Sequence, residues 1–169
     1  SQALVNTHLA AASAMLSWLL VEKLRAGHAT TLGAASGAVA GLVAITPCAG
    51  FVGGMAPIII GLTAGAVCYL ALALKNAFKF DDSLDVIAVH LVGGILGAIL
   101  LGFFADTKVN SLGFDGVFFG GGSKLLVNQF IAIGATFAFS FIVTYVVARI
   151  IDATIGLRVS AEDELVGLD

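Results

Sequence analysis

The sequence predicts an all-α integral membrane protein with five transmembrane helices. Three observations carry this expectation. Charged residues make up 11% of the 169 residues and hydrophobic ones 59%, with a mean hydropathy of +1.06, whereas a soluble domain carries roughly 25% charged residues. Charge-free runs recur along the chain at lengths that suit a lipid core of about 30 Å, which takes about 20 helical residues to cross. Those runs are continuously apolar and alanine-rich, without the every-second-residue alternation of a membrane strand.

The elements follow from these runs. Residues 1–21 hold no charged side chain, and Glu22 is the first. The run 29–74 is interrupted by Thr46-Pro47 and by the cluster Gly50, Gly53, Gly54 and Pro57, which divides it in two. Residues 86–105 and 125–148 form the remaining runs. The predicted spans are therefore 2–21, 31–46, 56–74, 86–105 and 125–149. The second is short, and reaches full length only if it continues through Pro47 or crosses with little tilt. Residues 1–150 are expected to form the membrane bundle, and 151–169 a polar tail outside it.

Basic residues set the expected orientation. Segments 22–30, 75–85 and 150–169 share one side with the end of the last span, and hold Lys23, Arg25, Lys75, Lys79, Arg149 and Arg158. The opposite side holds Lys108 and Lys124. The richer side is assigned to the cytoplasm, so the C-terminus is inside. The chain opens at Ser1 with no basic n-region of a secretory signal, and it is expected to be a piece of something longer.

Glycine spacing describes how the helices meet. Gly33, Gly37 and Gly41 repeat every fourth residue, as do Gly61 with Gly65 and Gly93 with Gly97. Such faces let backbones approach closely in lipid, and predict a tight bundle. Cys48 and Cys68 form no CxxC pair and are expected as buried small apolar groups. Gly120-Gly121-Gly122 lacks the Lys-Ser/Thr ending of a phosphate loop and is expected to be flexible. Trp18 and Tyr145 lie near span ends as expected interfacial anchors, and Tyr69 lies within its span as a packed ring.

His90 is the candidate functional residue. It is the only ionisable side chain in the run 86–105, and such a group inside a membrane span points to an ion or substrate path. Gly93, Gly94 and Gly97 follow at helical spacing, which predicts that the imidazole faces the packed bundle interior. The competing expectation is a structural histidine bonded to a neighbouring helix. Asp85 is expected to cap the N-terminus of this helix or to serve structurally, and Asp81 and Asp82 to be solvated. His28 is expected in solvent, and His8 packed or interfacial. No metal set, HExxH, GxSxG or paired-carboxylate pattern appears, so no cofactor, metal or enzyme chemistry is expected. No basic cluster with aromatics suggests nucleic acid.

Four ordered motifs carry a resemblance to a family. GAASGAVAGLVAITPCAG (33–50), DDSLDVIAVHLVGGILG (81–97), VNT (5–7) and the tail GLRVSAEDELVGLD (156–169) resemble ammonium transporters of the Amt/Mep/Rhesus family. The resemblance covers essentially the whole chain and is to the C-terminal half of the subunit. It implies an eleven-helix subunit of two inverted five-helix repeats and a last helix, assembled as a homotrimer in the cell membrane. His90 falls on the second of the family's twin pore histidines, in a proton relay. The first twin, the outer aromatic recognition site and the phenylalanine gate would lie in helices outside this chain. Ammonium or ammonia is the implied substrate. Gly156 and Arg158 would set tail contacts on the cytoplasmic face, where a PII-type regulatory protein is the implied partner. Two alternatives remain at this stage: a Rhesus-type neutral gas channel, and a non-conducting structural or regulatory membrane subunit.

Overall fold

The computed structural model describes residues 2–79 and 81–167, without the side chains of Asn76 and Ala161. Asp169, the last acidic residue of the predicted tail, lies outside the described residues. The helices are α1 (Gln2–Ala26), α2 (Thr31–Ile45), α3 (Ala56–Phe78), α4 (Gly93–Phe104), α5 (Lys124–Thr154) and α6 (Ala161–Val166). A π-helical turn, Ile87–Val92, leads directly into α4, and a 3-10 turn occupies Val117–Phe119. No strand occurs among the described residues. Four helical stretches are long and apolar enough to cross a membrane: Gln2–Ala26, Ala56–Lys75, Ile87–Phe104 and Lys124–Thr154. Thr31–Ile45 is a shorter apolar helix.

The chain forms two compact units, Ser1–Ile131 and Ala132–Asp169. Within the first, α1, α2 and α3 converge where side chains are smallest. Ala10 and Ala14 are fully buried, and the Ala10 carbonyl lies directly against Gly41 of α2 and Gly61 of α3. Gly65 meets the Ala14 carbonyl in the same way. A Cβ at any of these positions would enter the neighbouring backbone, so the expected glycine faces are contact surfaces. Gly97 brings α4 against the Ala44 carbonyl of α2. Trp18, expected at an interface, is only 2% exposed; it packs on Gly37 and meets Tyr69 edge-on at 5.5 Å. The glycine leaves room for the indole, and burial in this slot displaces the interfacial role.

The chain between α2 and α3 continues in hydrogen-bonded turns instead of opening at Pro47. The Ile45 carbonyl accepts from Cys48 and Ala49 N–H (both 2.8 Å), and the Cys48 carbonyl accepts from Phe51 (2.8 Å) and Val52 (3.1 Å). This adds length to a helix of 15 residues. Asn6, only 1% exposed, clamps the crossover by donating from Nδ2 to the carbonyls of Ala49 (2.9 Å) and Val52 (2.7 Å). Cys48 is fully buried, and its thiol donates to the Gly97 carbonyl at 3.2 Å. Both cysteines are free and buried, as expected.

Loop ends are held by carboxylates and tight turns. Glu22 accepts from the Thr30 N–H (3.0 Å) and hydroxyl (2.8 Å), while the Thr30 hydroxyl accepts from Gly33 N–H (2.8 Å) and caps α2. After α4, Asp115 accepts from Thr107 N–H at 2.7 Å. That bond holds its carboxyl below the usual carboxylate range. Gly121, expected in a flexible loop, donates to the Gly116 carbonyl at 3.0 Å and lies against the Asp115 carbonyl with no space for a Cβ. The triple glycine is therefore a pinned turn, with positive φ at Gly120 and Gly122.

In the second unit, α5 ends on a shared acceptor. The Ile151 carbonyl takes bonds from Ile155 (2.9 Å) and Gly156 (3.1 Å), and Gly156 has φ +81°. Glycine adopts that conformation without a Cβ penalty, which makes it the turn after the helix. The tail then folds into α6, where Ser160 accepts from Asp163 N–H (3.1 Å) as its cap. No residue of α5 is buried.

Candidate functional site

The π turn decides where His90 points. A π turn carries one residue more than the α-helix beside it, which offsets the faces on its two sides by about 100°. Ala88, Val89, Gly93 and Gly97 form the buried stripe. A Cβ on Gly93 would meet the Cys68 sulfur at 3.3 Å and Val43 at 3.4 Å. An uninterrupted α-helix places His90, seven residues before Gly97, almost on that stripe. The observed turn rotates it away. His90 and Leu91 are exposed, and a Cβ on Gly94 would meet nothing within 4 Å. Within this chain His90 therefore stands off the glycine stripe, on an uncovered apolar face. Its imidazole has no hydrogen-bond partner among the described residues.

Two carboxylates prepare the turn, with roles different from those expected. Asp82, expected in solvent, is the cap: Oδ1 accepts from Val86 N–H and Oδ2 from Ile87 N–H, each at 2.9 Å. These bonds, Ile87 first, hold its carboxyl below the usual carboxylate range, helped by the nearby Lys75. Asp85 is not the side-chain cap. Its left-handed backbone, φ +56°, directs its carbonyl to the Val89 N–H at 2.9 Å. Its carboxylate instead reaches the Lys75 ammonium at 2.7 Å, both groups being partly buried. Asp85 thus fastens the start of the π turn to the last turns of α3.

The other histidines make only local contacts. His8 Nδ1 lies 3.0 Å from the Leu4 carbonyl, and His28 Nδ1 3.0 Å from the Ala26 carbonyl, both exposed. Among the described residues no group of three or more His, Cys, Asp or Glu side chains gathers to hold a metal. A cavity of about 250 Å³ lies beside the loop between α4 and α5, bounded in part by Thr107, Asp115, Lys124 and Asn128. Its carboxylate already accepts from Thr107. Gly156 forms the turn after α5, and Arg158 follows it on the chain leading to α6.

His90 is thus an ionisable ring on an uncovered apolar helix face, beside tightly packed glycine helices. The family model described as Ammonium Transporter Family matches residues 1–169. The chain belongs to the ammonium transporter family. It is 49% identical to an ammonium transporter of Bacillus subtilis (strain 168) over 168 residues, covering 99% of this chain and 41% of the relative. It is 46% identical to the ammonium transporter Amt1 of Archaeoglobus fulgidus, covering 99% of this chain and 42% of that protein. Among solved structures, Saccharomyces cerevisiae Mep2 matches with a TM-score of 0.83 at 37% identity, over 95% of this chain and 37% of that one. A structure named Sensor Amt Protein matches with a TM-score of 0.86 at 29% identity, over 99% of this chain and 40% of that one.

The chain thus spans about two fifths of the length of the relatives it matches. These coverages give a share of length and no position, so they do not bear out an assignment to the C-terminal half. Membership in this family and the four long apolar helices make it a multi-pass membrane protein. The relatives are named as transporters, and the expectation of a non-enzyme agrees with that.

Sequence reasoning missed Asp82, Asn6 and Glu22. Asp82 stands four and five residues before the N–H groups that it caps, outside the usual cap spacing. Asn6 was legible in principle, as a polar amide in an otherwise apolar run.

Proposed function

We propose that this chain supplies half of the pore wall of an ammonium transporter in the cell membrane, with His90 facing the conduction path of the complete subunit. The observation that carries the proposal is the exposed, unpartnered imidazole of His90 on an apolar face. Burying that face against lipid would leave an ionisable ring in hydrocarbon, which is costly. Facing a narrow path, the ring meets a substrate that can donate or accept a hydrogen bond. One imidazole nitrogen donates while the other accepts, so a neutral ring can pass a proton along a line of partners. An apolar lining makes the bare ammonium cation costly while neutral ammonia passes more cheaply. His90 therefore acts as one member of a pore pair whose other member lies outside this chain.

The rest of the proposal is architectural. α2 with its turns through Val52 counts as a fifth crossing beside the four longer ones. The five crossings form one repeat of an eleven-helix inverted-repeat subunit, and three subunits assemble into a homotrimer. Lys23, Arg25, Lys75 and Lys79 lie in the cytoplasm, with Lys108 and Lys124 outside, so that the C-terminus is cytoplasmic. The tail beyond Gly156, with Arg158 and the acidic turn of α6, contacts the cytoplasmic face and serves a PII-type regulator.

The test is His90→Ala in the complete protein reconstituted in liposomes. The expected result is altered ammonium flux or altered proton coupling, with assembly retained because the glycine contacts do not involve the imidazole. Wild-type flux and coupling in the assembled variant would return His90 to a structural role.

A further inference from the structure

His90 is aimed by the π turn, and the π turn begins where two backbone N–H groups are fixed from outside the helix. Asp82 holds both, one on each carboxylate oxygen, at 2.9 Å. The residues between, Ser83 and Leu84, form an exposed turn, so the carboxylate closes a loop onto the helix start. The left-handed Asp85 backbone follows, and its carbonyl engages Val89. Without the external acceptors, the first turn has orphan N–H groups and is free to rewind toward ordinary α geometry. Rewinding by one residue carries His90 back toward the stripe formed by Gly93 and Gly97.

We propose that Asp82 is the positioning residue for His90: by capping Val86 and Ile87 it holds the π register that presents the imidazole to the conduction path. The proposal rests on the reading of His90 as a path residue, but its geometric half stands independently. Asp82 acts through the backbone and does not touch the ring. Lys75–Asp85 is a second tether on the same turn, so loss of Asp82 shifts the register without releasing the segment from α3.

The experiment uses the complete protein with ¹⁵N-labelled histidine in lipid. The His90 ring signals are assigned by their absence in His90→Gln, and transport is measured on the same preparations. Asp82→Ala is expected to displace the His90 ring signals and to lower transport about fivefold, the factor equivalent to a cap worth about 1 kcal/mol. Asp82→Asn keeps one acceptor oxygen and is expected to restore the ring signals and transport in part. Unmoved His90 signals in a folded Asp82→Ala protein would overturn the proposal. If Asp82→Ala does not fold, Asp82→Asn decides it, since wild-type ring signals and full transport there would also overturn it. Displaced ring signals, with transport unchanged in both Asp82→Ala and His90→Gln, would uphold the positioning and sink the path reading.

Discussion

Asn6 offers the most quantitative check on the packing. Its side chain is 1% exposed and donates to two carbonyls, Ala49 at 2.9 Å and Val52 at 2.7 Å. Neither carbonyl accepts from another donor among the described residues. Asn6→Ala therefore leaves two acceptors orphaned at the crossover between α2 and α3. A buried polar group left unsatisfied costs about 1–3 kcal/mol, which puts the total at about 2–6 kcal/mol for the pair. Equilibrium unfolding of the complete protein in mixed micelles, titrated with sodium dodecyl sulfate, measures the loss. Thr7→Ala is the comparison, since Thr7 donates only to the exposed Ala3 carbonyl one turn back; its change should stay within about 0.5 kcal/mol. If Asn6→Ala matched Thr7→Ala, the crossover would not depend on the clamp, and the account of how α1 holds α2 and α3 would be wrong.

Other expectations follow from the same contacts. Gly65→Val forces a branched side chain into the Ala14 carbonyl and should reduce folded protein severely, whereas Gly94→Ala, with open space at its Cβ, should be tolerated; fluorescence-detected size exclusion of both variants checks the contrast. Cysteines placed at 23 and 79 should label from the cytoplasm and those at 108 and 124 from outside, and external labelling at 23 or 79 would refute the orientation. Asp82 has a depressed carboxyl pKa, so its contribution is present above the unfolded value of about 3.9 and is lost as pH falls through the lower folded value. Hydrogen exchange at Val86 and Ile87 should accordingly stay slow at neutral and mildly acidic pH and quicken only in strong acid. Deleting residues 156–169 should lower flux while leaving the membrane helices folded, and unchanged transport would leave the tail without a role.

The helical skeleton was legible because the cost of charge in lipid punctuates the chain. All five predicted intervals are helical, and four of these helices are long enough to cross. Glycine spacing likewise marked real contacts, at Gly41, Gly61, Gly65 and Gly97. What the sequence hid was local geometry set by tertiary bonds. The period of 3.6 residues assigned His90 to the glycine face, and nothing in its residue types announces the π turn. The cap fell to Asp82 instead of Asp85 because Lys75, on the extended end of α3, draws the nearer carboxylate away. Trp18 was misplaced because Gly37, a partner 19 residues away, supplies its slot. The end of α5 is more local, since Gly156 alone supplies the positive φ that the turn after the helix needs.

The central claim is that His90 faces the conduction path, and the most direct measurement is silver block of transport through a cysteine at that position. Cys48 and Cys68 are both fully buried, so neither presents a competing thiol at the surface of this chain. In the complete protein, with cysteines elsewhere replaced, His90→Cys should retain measurable ammonium-driven uptake. Silver ion should then abolish that uptake, and high ammonium present during exposure should slow the block. Uptake by His90→Cys that silver leaves unchanged would contradict the account and place the residue on a face that no substrate visits.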